Sequence, residues 1–322
     1  MKENVINICQ VSLARDIPLI KENYKNFKKI YKKIQIFIIC PKNHLKKFKN
    51  SLDFKEIKII DESKILPFKN FEKLFNHLSS STNYKIQIKK RINWYYQQIL
   101  KITFILNFIH KNNKNIIIWD ADTIILKKIK FFQNKKTILY GTFFEFHKPY
   151  YSTNNYILEF KSKYFISFLT QFIAVSVKEG KYIFKKLFKK KNFKNKFVRD
   201  LSKIILLSIF KQHKLYNGSL FSEYELIGQI KHEMNFRKQY PILTLRSGLD
   251  GKLTNLQKKI CKILDYKHVT YEHSHFNKDS KGMLNRKQSW LRLIKILVKN
   301  IIKFYLRKLK HDFNFFRYKS SF

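Results

Sequence analysis

The first third of the chain alternates short, dense apolar runs with one amphipathic stretch, and this alternation limits the folds open to it. "NVINICQVS" (4–12), "KIQIFIIC" (33–40) and "EIKIID" (56–61) are short and rich in isoleucine, so each predicts a buried strand. Between the first two, Ile17, Ile20, Tyr24, Phe27 and Tyr31 recur at helical spacing. Asp16 stands at the N-cap of that helix and Pro18 in its first turn. Strand, helix and strand in this order predict an α/β domain with a mixed, mainly parallel central sheet.

Further along, "RINWYYQQILKITFILNFIHKN" (91–112) predicts a helix of about 20 residues, and "NIIIWDADTIIL" (115–126) a buried strand. Asp120 and Asp122 sit at the carboxyl end of the apolar half of that strand. In open α/β sheets this is where ligands bind. Three readings of the pair compete. Two aspartates can simply end a buried strand and cap a turn. An apolar strand followed by DxDx[TV] is a phosphatase signature, but Ile124 stands where Thr or Val is required and the motif comes late in the chain. In nucleotide-sugar glycosyltransferases, a DxD motif holds a divalent cation against the donor diphosphate. Its hard oxygen ligands suit Mn²⁺ or Mg²⁺.

The helix before the pair bears on the choice. Trp94, Gln98 and Lys101 are spaced i, i+4, i+7 and share one face. An ammonium on that face could reach a donor phosphate, or snorkel over the indole. Beyond the pair, "KKTILYGTFFEFH" (135–147) predicts another strand, and residues 163–188 a strand, turn and helix. Residues 202–216 and 221–234 predict two helices, and the tail from about 283 one long helix.

Four segments in this order resemble a family of bacterial glycosyltransferases with a GT-A-type fold. They are "SLARDIPLI" with its early Asp16, "INWYYQQILKI" (92–102), "WDADTIIL" (119–126) and "FSEYELIG" (221–228), and "DESKILPF" (61–68) resembles the segment ahead of that helix. Asn93 and Ile227 depart from the family pattern, which has a glycine and an aromatic there. The resemblance implies sugar transfer from a nucleotide-activated donor to a glycan or lipid-linked acceptor. It makes Asp120 and Asp122 ligands of Mn²⁺ or Mg²⁺, and Asp16, Trp94, Gln98 and Lys101 candidates for donor contact. Gln171 in "LTQF" stands where related folds meet the donor sugar. His273 in "YEHSHF" stands where several such enzymes complete the metal site. Transfer needs a base for the acceptor hydroxyl or a carboxylate facing the sugar. Glu223 in "SEYE" is the first candidate and Glu145 in "FEFH" the second, with Glu225 pointing away from Glu223 on the same helix.

Charge adds a partner class. The net charge is +45, with only 22 acidic residues, so polyanions attract the chain. Arginine is scarce, which disfavours reading of nucleic acid, and none is expected as a partner. The alternative to an enzyme is a non-catalytic polyanion-binding protein. No apolar run approaches the roughly 18 residues that span a bilayer, and no secretory signal opens the chain. Three dispersed cysteines fit a reduced compartment. These features predict a cytoplasmic protein, peripheral at the inner face of the membrane, where the basic amphipathic tail (283–322) meets anionic lipid. The expected organisation is a catalytic domain over 1–282, with a solvated Lys-rich insertion at 185–200, followed by that helix.

Overall fold

The computed structural model describes residues 5–80, 86–133, 136–159, 166–188, 197–213, 218–235, 239–246, 249–271 and 286–319. In chain order the elements are β1 (Ile6–Val11), α1 (Ile17–Ile30), β2 (Ile34–Cys40), α2 (Leu45–Ser51), β3 (Ile57–Asp61), α3 (Phe68–Ser80), α4 (Ile86–Lys89) and α5 (Ile92–Asn112). Next come β4 (Ile116–Trp119), β5 (Thr123–Ile125), β6 (Phe132–Gln133), β7 (Lys136–Thr137), β8 (Tyr140–Gly141), α6 (Lys148–Leu158), β9 (Phe172–Val175), α7 (Val177–Phe188) and α8 (Phe197–His213). The chain continues through α9 (Glu223–Asn235), β10 (Tyr240–Pro241), α10 (Asn255–Ile263), β11 (His268–Thr270) and a C-terminal helix (Trp290–Lys319).

The central sheet has the order β3-β2-β1-β4-β9. Its first four strands run parallel and β9 runs antiparallel to β4, so the sheet is mixed and mainly parallel, as the sequence predicts. Side chains alternate across it. Cys9, Val11, Ile116, Ile118, Ile173 and Val175 join a core with α3, α5, α7, α8 and α9. Ile8, Ile36, Ile38, Ile117, Trp119 and Phe172 join a second core with α1 and α2. Cover on both faces explains why these strands read as continuous apolar runs. After β3 at one edge, the chain returns to place β4 on the far side of β1. The carboxyl ends of β1 and β4 therefore flank a switch in strand order, where a crevice opens in sheets of this kind.

The run 115–126 is not one strand. It breaks after Trp119, and the Asp120 carbonyl accepts the Thr123 N–H at 3.1 Å, closing a turn. The Trp119 indole N–H donates to the Thr123 carbonyl at 2.7 Å and braces it. β5 then leaves the main sheet and pairs antiparallel with β11, Thr123 opposite Thr270. Likewise the strand expected over 135–147 is realised only as β7 and β8, two residues each. Helices α2, α6 and α10 lie where no helix is expected from apolar spacing. In α6 the buried face includes the polar Thr153 and Asn154. A signal did exist for α10: Thr254 and Gln257 form a reciprocal capping box.

Of the Lys-rich stretch expected over 185–200, residues 185–188 close α7, 197–200 open α8, and 189–196 lie outside the described residues. The C-terminal helix packs through Leu293, Leu297 and Phe304 onto a third core with Leu243, Leu245, Leu249 and Val269. Helix α9 approaches the loop before β9 so closely that a Cβ on Gly228 would collide with the Phe168 ring. Gly228→Ala should therefore cost about 1–3 kcal/mol through overpacking. Urea unfolding of the variant against the parent protein measures it, and equal midpoints would contradict this packing.

Candidate functional site

Strand β4 is buried along its whole length, so Asp120, the next residue, leaves the sheet from a fixed point. Its backbone N–H donates to the Gln171 carbonyl at 3.0 Å. Gln171 itself holds a φ of 59°, in the left-handed region that a residue with a Cβ seldom occupies. Such backbone costs on the order of 1–3 kcal/mol and persists where surrounding structure enforces it. The Gln171 amide nitrogen donates to the Leu169 carbonyl at 3.1 Å, while its amide oxygen is buried without a hydrogen-bond partner.

The Asp120 carboxylate meets two donors at one oxygen, the Lys101 ammonium at 2.6 Å and the Tyr224 hydroxyl at 2.7 Å. The same ammonium donates to Glu223 at 2.7 Å. Glu223 is the first residue of α9, and its backbone N–H donates to the Gln98 side-chain oxygen at 3.3 Å. A carboxylate at a helix N-terminus is favoured by the unpaired N–H groups there. Gln98 and Lys101 project from α5 one turn apart, and the latter is only 2% exposed. Helix α5, the end of β4 and the distant start of α9 thus converge on one buried cation.

Burial works against the charge on Lys101, but Asp120 and Glu223 outweigh it and hold the ammonium above its ordinary range. For Glu223, burial pushes the carboxyl up; Lys101 pulls it down and Asp120 pushes it up again, and the net direction is upward. Burial, then Asp120 and Glu223, raise the Tyr224 phenol, so it stays protonated and donates. Glu225, two residues on, points elsewhere. It accepts from the Ser167 hydroxyl and, at 3.0 Å, from the Phe168 N–H. Burial pushes its carboxyl up to about 7, against the pull of those two bonds.

Asp122 follows Asp120 on the same turn. It is half-buried, with the Thr123 hydroxyl 3.4 Å from its carboxylate, and its carbonyl accepts from the Tyr271 N–H. Asp16 lies at the carboxyl end of β1, beside β4. It is buried and accepts from the Ser12 hydroxyl at 3.1 Å and the Leu13 N–H at 3.0 Å, closing the turn into α1. Trp94, in the first turn of α5, keeps its indole 38% exposed. Glu145 pairs with Arg246. His273 lies outside the described residues. Lys101 and Gln98 turn inward, and their polar ends meet Asp120 and Glu223, because α5 passes beneath the end of β4. Tyr224, absent from the sequence-based candidates, shares Asp120 with Lys101. Its only signal was its place between the two glutamates of "SEYE".

Among the described residues, no group of three or more His, Cys, Asp or Glu side chains could hold a metal ion. The donor set still suits a hard cation. Asp120 has a second oxygen, its side chain is 23% exposed, and Asp122 is half-buried on the same turn. Mg²⁺-type ions are held by one or two carboxylates, with water and substrate phosphate completing the shell.

A model described as "Family of unknown function (DUF6492)" matches residues 14–309. The chain belongs to the DUF6492 family. No curated protein matches this DUF6492 member. Among solved structures it is similar to the galactosyltransferase LgtC in complex with donor and acceptor sugar analogues, at 8% identity and TM-score 0.45, over 91% of this chain and 96% of that one. It is also similar to mouse xyloside xylosyltransferase 1 in its apo form, at 10% identity and TM-score 0.41, over 86% of this chain and 99% of that one.

Two outcomes follow from the buried charges. Lys101→Met leaves Asp120 and Glu223 without their cation and should destabilise the fold by about 3–5 kcal/mol. Adding Glu223→Gln should restore part of that loss in urea unfolding at neutral pH. Glu225 takes up a proton more readily folded than unfolded. Its stabilising contribution is therefore complete below about 4.5 and lost as pH rises to about 7. Glu225→Gln is free of that loss, so its melting temperature relative to the parent protein should climb across this window. A constant difference would contradict the raised carboxyl.

Proposed function

We propose that this protein is a glycosyltransferase that moves a sugar from a nucleotide-sugar donor to a glycan or lipid-linked acceptor, on a GT-A-like domain. The observation that carries this reading is the carboxylate turn at the end of β4. It lies beside the switch in strand order, with Asp120 tied through Lys101 to Glu223. Asp120 and Asp122 are the residues that would hold Mn²⁺ or Mg²⁺ together with the donor diphosphate. When bound, the cation stabilises charge on the departing nucleoside diphosphate as a Lewis acid.

The chain's own residues do the rest. Lys101 acts from behind Asp120, fixing its carboxylate and offsetting part of its charge, while Gln98 fixes the start of α9. The exposed Trp94 indole offers a stacking face to the donor. Gln171, whose side-chain oxygen is buried without a hydrogen-bond partner, is the candidate for the donor-sugar side of the site. Asp16 holds the β1–α1 turn on the same side of the sheet. Glu223, buried against Lys101, is the first candidate for a role toward the sugar or acceptor, and Glu145, half-buried beside Arg246, the second. The family resemblance adds His273 as a further metal ligand. Work on a lipid-linked acceptor places the protein on the cytoplasmic face of a membrane. The charge of +45 supports a second reading, a non-catalytic polyanion binder, whose binding would be indifferent to Asp122.

Thermal shift with a panel of UDP-, GDP- and CMP-sugars separates the two. With Mn²⁺ present, one donor should raise the melting temperature, equivalent to about 2.7 kcal/mol at a hundredfold excess over its dissociation constant. Asp122→Asn should abolish the metal-dependent part. Stabilisation by no donor, or an equal response in Asp122→Asn, would defeat the proposal.

A further inference from the structure

The C-terminal helix carries two apolar faces, and the fold uses one of them. Leu293, Leu297 and Phe304 are buried against the third core. Leu291, Ile294, Val298, Ile302, Tyr305 and Leu309 all remain exposed, the first and last by 76% and 71%. At about 100° per residue these six fall within an arc of about 80°, centred well over 90° from the buried face. With a rise of about 1.5 Å per residue, the stripe runs straight for about 27 Å. Scattered exposed apolar residues are ordinary, but a contiguous stripe of this length marks a contact surface.

Charge identifies what covers it. Lys295 borders the stripe, and Lys299 and Lys303, at i+4 and i+8, step away from that border by about 40° each, the Lys303 ammonium lying over the Phe144 ring. Among the described residues, neither Lys299 nor Lys303 forms an ion pair with an acid. Desolvation, followed by the like charges of Arg307 and Lys299, pulls the Lys303 ammonium below its ordinary range. An anion placed along this row would relieve that repulsion. A second copy of the chain would bring the same row and the same +45 charge. No helix among the described residues is long and apolar enough to cross a membrane. We propose that the exposed face of the C-terminal helix docks on an anionic bilayer, the apolar stripe entering the acyl boundary and the lysine row reaching the headgroup phosphates. Flexible lysine stems suit this arrangement, since they keep the ammonium in the polar layer while the stem covers apolar surface. The inference stands on this helix alone and does not require the transferase reading.

Vesicle flotation of the full chain tests it. The protein should float with phosphatidylcholine vesicles containing about 30% phosphatidylglycerol and stay largely behind with phosphatidylcholine alone. Ile294→Ser, Val298→Ser and Ile302→Ser combined should weaken binding by about a hundredfold. Its melting temperature should not change, because the three side chains already face solvent. Lys295→Glu with Lys299→Glu should weaken binding to the anionic vesicles by about tenfold or more. The proposal is overturned if the parent protein ignores anionic vesicles or if the serine variant binds as well as the parent. It is overturned equally if light scattering finds a dimer that the serine variant converts to monomer, since a second copy would then occupy the stripe.

Discussion

The buried Lys101 ammonium organises the candidate site. Lys101 sits in the middle of a helix whose other buried positions are almost all apolar, and it is itself buried. A charge there is tolerable only with close counter-charges and good geometry. Those come from Asp120 and Glu223, which lie far apart in the chain and have no local reason to meet. Forming the two contacts fixes α5, the end of β4 and the start of α9 against one another. The turn that carries Asp122 hangs from that junction, so the candidate metal-binding carboxylates inherit their position from an ion pair below the surface.

Helix α9 repeats the device along its length. Glu223 is held by Lys101, Glu225 by Ser167 and the Phe168 backbone, and Lys231 reaches the Ala174 carbonyl with Glu179 at 3.8 Å. Glu179 in turn accepts from Thr137 and from the Ser176 N–H. The first link reaches helix α5, and the others cross to the loop before β9, to β9 itself and through Glu179 to β7, where strands are only two to four residues long. Short strands supply few ladder bonds and little register, and buried side-chain bonds supply the missing specification. Gly228 fits the same picture, since only a missing Cβ lets α9 come this close to Phe168.

The surplus of positive charge has two faces. Across the body most lysines are exposed and keep the surface cationic. Acids are scarce, and several of the few are interior: Asp16, Glu179, Glu223 and Glu225 are all buried. Each of these four buried carboxylates marks a structural junction, and half-buried Asp120 belongs both to such a junction and to the candidate site.

The mainly parallel sheet was legible because strands covered on both faces must be apolar throughout, and helix α1 because its buried side recurs at helical spacing. Both are local consequences of burial. The existence of a carboxylate turn after "NIIIW" was legible for the same reason, since the apolar run ends there. The break into β4 and β5 was not, because isoleucines on both sides look alike whether one strand continues or a second pairs with β11. Nor could the sequence assign partners. The i, i+4, i+7 face of Trp94, Gln98 and Lys101 was readable, but its direction was not: whether an ammonium meets a phosphate or two carboxylates depends on what folds against it. Helix α6 stayed hidden because its buried side carries Thr153 and Asn154. The sequence by itself determined the repeating elements, whose burial is written in their own residues. The tertiary structure decided the pairing of charges across more than a hundred residues, because an interaction between distant segments leaves no trace in the spacing of either.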